Sequence, residues 1–61
     1  MTNELVFYDL VYSADDGGWY GQAFRKDGKD WFETSILPTQ EMAKRAVLAK
    51  APEAKLLRVI N

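Results

Sequence analysis

The first half of the chain carries apolar and aromatic residues in runs that a strand's two-residue side-chain period divides between two faces, broken at intervals by glycine and aspartate. Positions 4–13 (Glu-Leu-Val-Phe-Tyr-Asp-Leu-Val-Tyr-Ser) are rich in β-branched and aromatic types and run into Asp15-Asp16-Gly17-Gly18, which predicts a strand and a turn. Positions 19–26 predict a second strand and positions 30–36 a third. Between them, Asp27-Gly28 favours a two-residue type I′ hairpin, whose central positions both need φ > 0. After Pro38 the period lengthens. Thr39 is a good N-cap, Glu41 suits the first turn, and positions 40–50 lack glycine and proline, so a helix is expected there, stopped by Pro52. Met42, Ala43, Ala46, Val47 and Ala49 fall along one side at helical spacing, with Glu41, Lys44 and Arg45 turned away and Leu48 a lone exposed apolar residue. Positions 55–60 predict a last strand. The fold class is therefore α+β: one domain over residues 1–61, ordered β-β-β-α-β, a small mainly antiparallel sheet with one helix packed on one face.

The hairpin sets a testable register. A two-residue turn at Asp27-Gly28 pairs Arg25 with Asp30, Phe24 with Trp31, Ala23 with Phe32, Gln22 with Glu33 and Trp19 with Ile36. If Asp16-Gly17 likewise closes the first turn, Val6, Tyr8, Leu10, Tyr12, Trp19, Ala23, Phe32 and Ile36 share the face that the helix should cover. Leu5, Phe7, Asp9, Val11, Tyr20, Gln22, Phe24, Trp31 and Glu33 share the other. The last strand fits beside either the first or the third.

All eight aromatic residues lie between Phe7 and Phe32. One face of so small a sheet cannot hide them all, and large exposed apolar patches mark partner surfaces. Phe7, Tyr20, Phe24 and Trp31 are the candidate partner-binding residues, for a protein partner or a second copy of the chain. With 61 residues, a domain of this size depends on a thin core or on association that buries more surface.

Composition removes several chemistries. Without cysteine or histidine there is no disulfide, no thiolate metal site and no imidazole base. Asp9 and Glu33 can share a face, but on strands about 10 Å apart, and no cleft is implied. Asp15, Asp16, Asp27 and Asp30 read as turn and ion-pair residues rather than a calcium loop. We expect no enzyme activity, no cofactor and no metal. No apolar run reaches membrane-spanning length and no leader pattern is present, so a cytosolic protein with no membrane partner is expected. The net charge of −1 hides a division: residues 1–33 hold seven acids and three bases, net −4, and residues 34–61 two acids and five bases, net +3. Lys44, Arg45, Lys55 and Arg58 therefore form a candidate nucleic-acid-binding set, with strand aromatics available to stack bases.

Two resemblances bear on role. The run 7–12, then Asp15-Asp16-Gly17-Gly18-Trp19, then Thr39-Gln40-Glu41-Met42-Ala43 with an alanine-rich helix resembles the N-terminal domain of HicB-type antitoxins, and implies the same β-β-β-α-β order and a regulatory role. The chain departs from that family in having the Asp27-Gly28 hairpin where a Pro-x-Leu-x-Gly-like segment is expected. The stretch 19–46, with Asp27-Gly28-Lys29 and Pro38-Thr39-Gln40-Glu41-Met42-Ala43-Lys44, is similar to the arm-binding domain of tyrosine integrases, which is normally basic. By analogy of size and layout, phage-encoded inhibitors of host enzymes are a further comparison.

Overall fold

The computed structural model describes residues 5–61; the expected first strand residue Glu4 lies outside them. The elements are β1 (Val6–Ser13), β2 (Gly18–Arg25), β3 (Asp30–Glu33), α1 (Gln40–Lys50) and β4 (Lys55–Ile60). The sheet runs β3-β2-β1-β4, with β1–β2 and β2–β3 antiparallel and β1–β4 parallel. The fold is the expected α+β arrangement, and β4 takes the place beside β1.

The first turn is longer than the two-residue loop. Gly17, at φ +69°, and Asp16 both donate backbone N–H groups to the Ser13 carbonyl, at 2.8 and 3.2 Å, and the Ser13 hydroxyl donates to the Asp16 carboxylate. Ser13 thus pairs with Gly18 and Val6 with Arg25. Relative to the expected register the strands slide by two residues. A slide of two leaves every side chain on its original face.

The second turn departs further. Only Gly28 has positive φ, +90°, so the type I′ geometry, which would also place Asp27 there, is not formed. Gly28 N–H donates to the Arg25 carbonyl and Arg25 N–H to the Lys29 carbonyl, which closes a three-residue loop. Arg25 then faces Lys29 and Phe24 faces Asp30, so the expected Arg25–Asp30 and Phe24–Trp31 pairs are not made. Continued unchanged, that register would turn Phe32 outward and point Glu33 at the helix. A bulge at Trp31 absorbs one residue and restores the pairs Ala23–Phe32 and Gln22–Glu33. The charge stays out and the ring stays in.

Past β3, Thr34 bonds Gly21 through both its N–H and its hydroxyl, and Leu37 rather than Ile36 bridges Trp19 by two bonds of 2.7 Å. Leu37 packs on the core and Ile36 is exposed. The Thr39 hydroxyl caps α1 by accepting from Met42 N–H at 3.1 Å. The helix's inward row is Ala43, Val47 and the C-cap Ala51, flanked by Leu48, which packs on the core. Met42 and Ala49 are exposed, contrary to the expected face, and Leu48 is not the exposed residue expected. The reason is local: α1 settles where Gly21 has no side chain, against Val47. The core is small, formed by Tyr8, Leu10, Ala23, Ala43 and Val47, and the largest fully buried side chains among the described residues are Leu10 and Val47. Burial, helped by Glu41, raises the Tyr8 phenol above its usual pKa. Tyr12, expected in the core, lies beyond the helix with its ring 5.4 Å from that of Trp19, and is exposed.

Candidate functional site

The helix and the core lie on the Tyr8, Leu10 and Ala23 side of the sheet, so the opposite side carries no second layer among the described residues. Strand register arranges that open face into three transverse rows. Phe24 on β2, Phe7 on β1 and Lys55 on β4 form the first. Glu33, Gln22, Asp9 and Arg58 form the second, across all four strands. Tyr20, Val11 and Ile60 form the third. Two apolar rows thus flank a polar one, and rows two residues apart along a strand are separated by about 7 Å.

In the first row the Phe7 and Phe24 rings lie 6.2 Å apart at 32°, a direct cross-strand aromatic pair. Phe7, Val11, Tyr20 and Phe24 are half-buried, and Ile60 is exposed. In the middle row Asp9 is buried although nothing lies over the sheet there. The two apolar rows shield it from either side, and the Arg58 guanidinium covers it through a fork of contacts, Nη2 to Oδ2 at 2.8 Å and Nε to Oδ1 at 3.4 Å. That bonding also raises the Arg58 pKa above its already high ordinary value, so the guanidinium keeps its charge.

The two partners are unequal: the Arg58 side chain is 63% exposed and that of Asp9 8%. Removing Arg58 leaves a shielded carboxylate without its donor, whereas removing Asp9 returns a guanidinium to water. Arg58→Ala is therefore expected to destabilise the fold, and Asp9→Ala to do so clearly less. Urea unfolding of the two variants checks the order; the reverse order would contradict the assignment of Asp9 as the dependent partner.

Three of the four expected partner-binding residues, Phe7, Tyr20 and Phe24, meet on this face. Trp31 does not. The bulge swings it to the helix side, where its ring lies 4.9 Å from Phe32, edge to face, beneath the Arg25 guanidinium at 4.8 Å. There it lines an open groove of about 260 Å³ with Val6, Lys50, Pro52 and Ala54. The basic set is also divided. Lys44 and Arg45 belong to the helix layer, and Lys55 and Arg58 to β4 on the open face. Arg45 pairs with Glu41 at 3.4 Å and Arg58 with Asp9. Residue-by-residue reading missed Arg58, Lys55 and Ile60 as members of the face, because their membership depends on β4 lying beside β1. No cluster of three or more potential metal-ligating side chains occurs among the described residues, and no helix there is long and apolar enough to cross a membrane. Comparison with known protein families, curated proteins and solved structures gives no match.

Proposed function

We propose that this chain is a non-catalytic protein-binding module of regulatory or inhibitory type, acting through the open face of its sheet. The observation that supports this most is the row pattern: Phe7–Phe24 and Tyr20–Val11–Ile60, both apolar, on either side of the Asp9–Arg58 pair. Apolar anchors around a satisfied ion pair are what a protein interface core and its polar contacts require. The matching partner offers two apolar contacts about 13 Å apart with a polar group between them, the span of four residues on an extended strand. The element order shared with the antitoxin domain is our reason for favouring a regulatory role. Nucleic-acid binding through Lys44, Arg45, Lys55 and Arg58 has less support, since these residues occupy two layers and two of them are ion-paired. A cytosolic location fits this reading.

The test compares what the immobilised chain retains with what Phe7→Ala/Phe24→Ala and Lys44→Glu/Arg45→Glu retain. A protein held by the parent and by the helix variant, but released by the ring variant, is the expected result. Retention that survives loss of both rings contradicts the proposal. Salt-sensitive capture of RNA or DNA, lost in the helix variant, would transfer the function to the basic set.

A further inference from the structure

β4, Lys-Leu-Leu-Arg-Val-Ile, presents Leu56 and Val59 on the helix side of the sheet and Ile60 beside Lys55 and Arg58 on the open side, with Leu57 in the bulge between. In this fold β4 is an edge strand. All six residues are exposed, with Leu56, Leu57, Val59 and Ile60 between 41% and 52%. The helix does not shelter it, because α1 packs on β2 and β1. Natural edges are blunted by charge, proline, bulges or extreme shortness, and β4 has one bulge, at Leu57, in its six residues. Here one cation of the strand, Arg58, is held by Asp9, and Lys55 stands at its start. Among the described residues the largest fully buried side chains are Leu10 and Val47, a small core for an independent fold.

We propose that the occupant of this edge is a second copy of the chain, paired β4 to β4 in antiparallel register across a two-fold axis. This deepens the protein-binding reading by naming one partner for a different part of the sheet. The strand itself limits the register. Its partners on β1 place Leu56 and Val59 on the helix side, beside Tyr8 and Leu10, and Lys55, Arg58 and Ile60 on the open side, with Leu57 the extra residue between. Directly opposed residues of an antiparallel pair share a face. Opposing Leu56 to Val59 of the other copy, and Lys55 to Ile60, satisfies that rule at both ends and sets Leu57 against Arg58. A slide of one residue in either direction mismatches the faces, and one of the two slides also sets Arg58 directly against Arg58. In the allowed register each Arg58 remains neutralised by its own Asp9, and the two Lys55 ammonium groups lie at opposite ends of the seam. The product is a continuous eight-stranded sheet with both helices on one side and Leu56 and Val59 of both copies forming an apolar seam between them. A two-fold interface of this kind closes on itself and leaves only the short β3 strands as edges.

The chain has no cysteine, so introduced thiols report the register directly. In Leu56→Cys/Val59→Cys each thiol should face its counterpart on the other copy. Within one chain the two positions lie opposite Tyr8 and Leu10, about 7 Å apart along the sheet and beyond the usual Cα separation of a disulfide. The expected results are a sedimentation-equilibrium mass of about 14 kDa, twice the 7.0 kDa chain, and a covalent dimer on oxidation of the double variant but of neither single one. Val59→Lys should weaken the dimer roughly tenfold or more while a concentrated sample remains folded. A 7.0 kDa species at millimolar concentration overturns the proposal. So does a dimer that ignores Val59→Lys, or one whose single variants link as well as the double. Phe7→Ala/Phe24→Ala should keep the dimer mass, so failure of the seam and failure of the aromatic face appear in different samples.

Discussion

Replacing Gly21 by valine is expected to prevent folding, and replacing it by alanine to cost about 1–3 kcal/mol. Gly21 lies opposite Leu10 at the centre of the sheet, and it has no left-handed backbone to explain its identity. The reason for glycine is the approach of the helix. A β-carbon there would overlap the Val47 Cγ2 methyl and come within 3.4 Å of the Ala43 carbonyl oxygen and 3.7 Å of a Leu10 methyl. Val47 is fully buried and, being β-branched, has no free rotamer to turn into. The helix must therefore lift, and a strand's ordinary preference for alanine over glycine, worth about 0.5–1 kcal/mol, is too small to compensate. Val47→Ala should relieve the clash. The double variant Gly21→Ala/Val47→Ala is then expected to be more stable than the sum of the single losses predicts by about 1 kcal/mol or more, measured by urea unfolding. Strict additivity would mean that the two residues do not oppose one another.

Leu10→Ala is the second large effect. Leu10 is, with Val47, one of the largest fully buried side chains among the described residues, and it sits between the helix, β2 and β4. Truncation of such a leucine costs about 2–5 kcal/mol, depending on how far the site collapses. A domain of this size has roughly 3–5 kcal/mol in total. The variant should accordingly be largely unfolded at 25 °C, with far-UV circular dichroism lacking a cooperative transition. A melt close to that of the parent would place the true core elsewhere.

Much of this was legible because side-chain period and face are linked. The two-residue side-chain period from Val6 to Val11 and from Trp19 to Ala23 separated core from open face correctly, and a two-residue error at the first turn did no harm to the faces, since an even slide preserves them. Trp31 was misplaced for the opposite reason. Its position depends on one bulged residue, and that bulge follows from a three-residue loop at Gly28 combined with the need to keep Glu33 out of the core. Neither local propensity nor alternation records such a correction. The helix face was misread because its inward row is selected by Gly21 across the sheet rather than by the greatest apolar content. Arg58 and Ile60 could not be joined to Asp9 and Val11 until β4 was placed, and that choice is a contact between residues nearly fifty positions apart.

If the rings of the open face are partner surface rather than core, Phe7→Ala/Phe24→Ala leaves the fold standing, and urea unfolding beside Leu10→Ala measures whether it does. A protein that still unfolds cooperatively and has lost less than Leu10→Ala loses is the expected result, since two half-buried rings and one aromatic pair are removed without opening a cavity in the core. A loss as great as that of Leu10→Ala would show those rings to be structural and contradict that reading.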